Sequence, residues 1–177
     1  ACLFGLHSDV VNDPCHKKPV RPVNVLLIGA GHRGMIYADY ALKYPDEMQV
    51  VGVAEPNAKR RYKARLLHKI PSARCYTDWK DALAEEKFAD AVIIATPDAQ
   101  HTEPCLAALD KQYDVLLETP IATTETECRL ILQKAQETNR IVGVCHVLRY
   151  SPYFRELKAV VYSGLIGEIL RKQTTEP

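Results

Sequence analysis

Residues 23–42, VNVLLIGAGHRGMIYADYAL, constrain this chain more than any other stretch. Val25 to Ile28 form a continuous apolar run, the pattern of a strand buried on both faces of a parallel sheet. Gly29, Gly31 and Gly34 follow in G-x-G-x-x-G spacing, and Met35 to Leu42 read as a helix with apolar positions Met35, Ile36, Ala38, Ala41 and Leu42. In such a unit the first glycine makes the tight turn and the second admits a pyrophosphate to the backbone, while the third lets helix and strand pack closely. Unpaired N–H groups and the positive end of the helix dipole then face the phosphates. Spaced glycines also occur in other nucleotide folds, methyltransferases among them, so the context decides. A second apolar run, Val50 to Ala54, ends in Glu55, which lies 21 residues beyond Gly34. That is where a dinucleotide-binding unit presents an acid to the adenosine ribose hydroxyls.

The same alternation continues along the chain. Asn57 is placed to cap a helix from Ala58 to about His68, whose first turn carries Lys59, Arg60 and Arg61. Three cations at the positive end of a helix dipole are unfavourable unless they are solvated or meet an anion such as a 2′-phosphate. A short strand at Arg74 to Tyr76 and a helix from Trp79 to about Glu86, capped by Asp78, come next. Asp90 to Thr96 is a strongly apolar strand closed by Pro97, which turns the chain out of the sheet at its ligand-binding end. After the segment Ala99 to Leu109, Tyr113 to Leu117 is a further buried strand, ending at Glu118-Thr119-Pro120. Thr124 and Glu127 form a capping box for a helix to about Asn139, and Ile141 to His146 is the sixth strand. Ser151-Pro152 opens a last helix, stopped at Ser163-Gly164, before a strand at Glu168 to Thr174.

This pattern predicts an α/β fold, a doubly wound parallel sheet of six strands in the order 3-2-1-4-5-6. Residues 1–22 read as an irregular arm, 23–150 as the nucleotide-binding domain, and 151–177 as a linker helix and first strand of a second, incomplete α+β domain. A formal net charge of +1 gives no electrostatic commitment to nucleic acid or anionic membrane, and no apolar run is long enough to span a bilayer. Cys2, Cys15, Cys75, Cys105, Cys128 and Cys145 lack metal-ligand spacing, so no metal is expected, and they read as reduced thiols of a cytoplasmic protein, with Cys2 and Cys15 in the irregular leader as the two that could pair or react.

With these motifs in place, residues 23–177 resemble the glucose-fructose oxidoreductase, inositol dehydrogenase and rhizopine-catabolism (Gfo/Idh/MocA) family, whose first domain is an NAD(P)-binding Rossmann fold. The matching segments are GAGHRG at 29–34, ATPDAQH at 95–101, LLETP at 116–120, HVLRYSPYF at 146–154 and SGLIGEI at 163–169. The resemblance implies cofactor contacts from Gly29, Gly31, His32, Arg33, Gly34 and Glu55. It implies further contacts from Thr96, Pro97 and His101 beside the ribose and nicotinamide, from Glu118, and from Arg149 at the cofactor cleft. It also implies hydride transfer at a CH–OH group of a small sugar or polyol, with assembly into homo-oligomers as a family expectation. One position departs. The lysine that the family sets beside the reacting hydroxyl, between Glu118 and Pro120, is Thr119, whose neutral hydroxyl cannot act as a cation.

Two functional readings follow. In the first, the chain is the cofactor portion of an oxidoreductase; in the second, prompted by Thr119, it is a non-catalytic dinucleotide-binding regulatory or partner protein. Either way the expected cofactor is NAD rather than NADP, since a carboxylate at Glu55 accepts from ribose hydroxyls and repels a 2′-phosphate.

Overall fold

A computed structural model describes residues 19–168, 170 and 171. Six strands alternate with helices: β1 (Val23–Ile28), α1 (His32–Lys43), β2 (Met48–Ala54), α2 (Ala58–His68), β3 (Cys75–Tyr76), α3 (Trp79–Ala84), β4 (Ala91–Ile94), α4 (Thr102–Asp110), β5 (Asp114–Leu117), α5 (Glu125–Thr138) and β6 (Val142–Val144). One sheet holds them all in the order β3-β2-β1-β4-β5-β6. Every pairing is parallel. The predicted order is therefore found, and the point where it reverses lies between β1 and β4.

The apolar runs account for the sheet. Leu26, Ile28, Val92, Ile94 and Leu117 are wholly or almost wholly buried, with α4 contributing Cys105, Ala108 and Leu109 to the same core. Strands shielded on both faces can afford no polar alternation, hence their near-continuous hydrophobic sequences. At Gly52 on β2 an added Cβ would lie 2.8 Å from the Phe88 ring, so the absence of a side chain there makes room for the aromatic. At the amino ends of the strands, carboxylates satisfy backbone donors that the ladder leaves over. Asp90 accepts from Asn24 N at 2.8 Å and from Arg21 in two bonds. The Arg21 guanidinium holds the Asp90 carboxyl below the usual carboxylate range. Asp114 likewise accepts from Ile141 N.

Helix ends follow the expected chemistry in most places. Asn57 accepts from Lys59 N and Arg60 N. Thr124 and Glu127 complete their capping box, and Asn139 closes α5 in the left-handed conformation. Differences from the sequence reading sit at boundaries. α1 begins at His32, earlier than its apolar periodicity, because its first turn is polar. β4 ends at Ile94, two residues before Thr96. α3 stops at Ala84, since Glu85 is extended. The segment after Pro97 divides into a 3-10 turn, Asp98–Gln100, and α4.

The chain separates into two compact units, with a boundary between Cys145 and His146. Beyond it lie a 3-10 turn, Val147–Tyr150, and a helix, α6 (Pro152–Tyr162). The expected strand at 168–174 falls largely outside the described residues, as do positions 1–18 of the expected arm. No described helix is long and apolar enough to cross a membrane.

The close approach at Gly34 yields the first prediction. An added Cβ at Gly34 would sit 2.0 Å from the carbonyl oxygen of Gly29, a backbone atom with nowhere to go. Gly34→Ala should cost about 3 kcal/mol, seen as a fall in Tm of roughly 10 °C by calorimetry. An unchanged Tm would mean that the turn relaxes freely.

Candidate dinucleotide site

Apart from Arg149, the sequence-predicted residues follow the carboxyl ends of β1, β2, β4 and β5. Gly29 leaves β1 with φ +88°, and a Cβ there would lie 2.6 Å from Ala95 O, so this turn is pressed against the end of β4. Gly31 is different, because among the described residues nothing lies within 4 Å of the position its Cβ would take. It is also the N-cap of α1, where no side chain caps the helix and no acid occupies the first turn. An α-helix whose first N–H groups lack a protein cap, opening onto free space at a residue without a side chain, suits a phosphate group. Of the two residues between Gly31 and Gly34, His32 is exposed, and Arg33 turns toward β5.

Glu55 follows β2 and is 2% exposed. Its carboxylate accepts from Ala30 N in the glycine turn at 2.8 Å and from Asn57 N at 2.9 Å. Arg60 donates to it at 2.7 Å, and Arg61 donates to the Glu55 and Pro56 carbonyls. The two arginines are thus neither simply solvated nor waiting for an anion. Arg60 folds back on the carboxylate and Arg61 on the backbone carbonyls before the helix, which offsets the unfavourable placement of cations at the start of α2.

The loops after β4 and β5 are joined through a buried ring. His101 is wholly buried, with Nδ1 2.7 Å from Pro120 O and Nε2 2.9 Å from Thr96 O. A neutral imidazole donates to one of these carbonyls, and a ring carrying both protons donates to both. His101 therefore ties the Thr96–Pro97 loop to the Thr119–Pro120 loop from beneath. Thr96 and Thr119 are half-buried and Pro97 is exposed.

Glu118 stands at the end of β5 in a cluster drawn from three elements. Its Oε2 accepts from the Tyr37 phenol at 2.7 Å, and its Oε1 pairs with Arg33 Nε at 3.1 Å. Burial, then the bond to Glu118, pushes the Tyr37 phenol well above its ordinary range, so it stays a donor. Cys145 adjoins both, and burial pushes its thiol up to about 12. Arg149 belongs to the other unit and is exposed in the turn after His146. Among the described residues no group of three His, Cys, Asp or Glu side chains could hold a metal ion.

The profile of GFO_IDH_MocA, an oxidoreductase family with an NAD-binding Rossmann fold, matches residues 23–146. This chain belongs to the GFO_IDH_MocA family. Inositol 2-dehydrogenase 1 of Mycolicibacterium vanbaalenii is 31% identical over 150 residues, which are 84% of this chain and 43% of that protein. The 4-carboxy-2-hydroxymuconate-6-semialdehyde dehydrogenase of Sphingobium is 28% identical over 142 residues, 80% of this chain and 44% of its own length. The chain thus spans less than half the length of these curated relatives. An inositol dehydrogenase homolog from Azotobacter vinelandii, solved with NADH and myo-inositol, superposes with a TM-score of 0.71 at 24% identity, covering 84% of this chain and 41% of that one. As a GFO_IDH_MocA member the chain carries an oxidoreductase NAD-binding domain, whose glycine turn, open helix start and buried acid fit a dinucleotide.

Sequence reasoning missed Tyr37. The available signal was a phenol on the inward face of the first helix, which has to find an acceptor once buried. The joint beneath the loops gives a testable cost. His101→Leu removes the ring between the two carbonyls and leaves at least one of them without its donor, at about 1–3 kcal/mol. A urea midpoint lowered accordingly is expected, and an unchanged midpoint would show that the two loops hold without the ring.

Proposed function

We propose that this chain is the cofactor-holding portion of an NAD-dependent oxidoreductase that acts on a CH–OH group of a sugar or polyol by hydride transfer. The observation that carries the reading is one sheet edge with the open, uncapped start of α1 at its centre, Glu55 at one end and Glu118 at the other. The names of its relatives, inositol dehydrogenases among them, support the substrate class. The hydride chemistry belongs to the nicotinamide; this chain's residues bind, orient and set charge around it. Titration of NADH into the purified chain, followed by fluorescence, should saturate, and no saturation at millimolar cofactor would reject the reading.

NAD is the proposed cofactor over NADP. A 2′-phosphate brought to Glu55 would meet a buried carboxylate, and the nearest arginine, Arg60, already neutralises that group. NADH should bind more tightly than NADPH. Glu55→Ala should narrow the gap by removing the carboxylate and releasing Arg60 toward the phosphate, while a wild-type preference for NADPH would overturn the assignment.

Thr119 bears on rate rather than on binding. A threonine hydroxyl is a short neutral donor, and losing one acid–base or electrostatic group typically costs about 10²- to 10⁴-fold. In a full-length protein bearing this domain, Thr119→Lys should raise turnover on polyols at least about tenfold with the NADH dissociation constant little changed. Flat turnover would assign the charge to another residue.

A further inference from the structure

The Arg33–Glu118 pair lies on the proposed cofactor edge, on the other side of the β1 turn from Glu55. Arg33 stands in the first turn of α1, which follows β1, and Glu118 directly follows β5, with β4 between β1 and β5 in the sheet. Neighbouring strands are about 4.8 Å apart, so a contact from the start of α1 to the end of β5 bridges the carboxyl end of β4. In a doubly wound sheet of this order, one mononucleotide lies over β1 to β3 and the other over β4 to β6. Glu55 marks the first half. The Arg33–Glu118 bridge therefore lies on the half that takes the second mononucleotide, whose base would be the nicotinamide.

The pair is held rather than loosely solvated. Tyr37, from the second turn of α1, fixes the other carboxylate oxygen at 2.7 Å, and the Glu118 side chain is 14% exposed. The Arg33 side chain is 48% exposed. Cys145, the neighbouring titratable group at the end of β6, stays a neutral thiol in ordinary buffers because burial raises it to about 12. The local charge is thus one cation against one anion.

Resting on the NAD-binding reading above, we infer that Arg33 and Glu118 together set which oxidation state of the nicotinamide this chain prefers. The chemical reason is that the oxidised ring carries a positive charge and the reduced ring is neutral. A neighbouring cation disfavours the oxidised form, and a neighbouring carboxylate favours it. With both present the two effects oppose each other. Removal of either one leaves the charge of the other uncompensated beside the ring.

The test is the ratio of the NAD⁺ to the NADH dissociation constant, measured by calorimetric titration of each cofactor into the full 177-residue chain and its variants. Arg33→Met exposes the carboxylate and should lower the ratio at least about fivefold. Glu118→Gln exposes the guanidinium and should raise it by a similar factor, whereas Arg33→Lys keeps the charge and should keep the ratio within about twofold. A purely structural role would weaken both cofactors alike and could not produce opposite signs. Equal effects on the two constants, or shifts in the same direction for Arg33→Met and Glu118→Gln, overturn the inference and leave the NAD-binding reading standing. Failure of the wild-type chain to bind either form overturns both. Should Glu118→Gln not fold, as judged by its thermal transition, the comparison of Arg33→Met with Arg33→Lys decides: a ratio lowered only by loss of charge supports the inference, and equal ratios overturn it.

Discussion

The approach of the first helix to the first strand and its neighbour governs this molecule. Gly29 presses against Ala95 O, and Gly34 presses in turn against Gly29 O. Each contact excludes a Cβ for a steric reason, and together they bring α1 down on the carboxyl ends of β1 and β4. Once the helix is seated there, its open N-terminus has to face the crevice at the reversal of strand order. Tyr37 also has to turn inward toward β5. The cofactor edge is consequently a product of packing, and Gly31 is the glycine of the three whose value comes from empty space above it.

Electrostatics finishes what packing begins. At the amino ends of the strands, Asp90 and Asp114 take up backbone N–H groups that a parallel ladder leaves unpaired. At the carboxyl ends, Glu55 does the same for Ala30. Carboxylates thus tie strand to strand at both margins of the sheet, although only those on the carboxyl side lie where a ligand could exchange with the bonds they make.

Much of this was legible in the sequence because the determining signals are local. Strand order followed from the alternation of apolar runs and capped helices. The position of the acid after β2 followed from spacing alone. Pairing between side chains was not legible. Tyr37 and Glu118 are 81 positions apart, and no periodicity or motif announces that bond. Arg60 reads as an exposed first-turn cation until the backbone of Asn57 turns it onto Glu55. The contacts of His101 were not legible either: the ring is wholly buried between the carbonyls of Thr96 and Pro120. Helix starts with polar first turns, such as His32 to Gly34, escape any reading based on apolar spacing.

The carboxyl edge ends in an ion pair at each side, with a sheltered acid and a half-exposed arginine in both: Glu55 with Arg60 at 2.7 Å, and Glu118 with Arg33 at 3.1 Å. Between them the glycine turn offers backbone N–H groups and open space. The two arginines, 53% and 48% exposed, are within reach of mobile ions, and the turn is fixed by contacts that ionic strength does not alter. Added salt therefore loosens the two ends of the edge while its middle keeps its shape. A long ligand lying across it is gripped in the centre by geometry, and at its extremities by charges whose strength the surrounding medium sets.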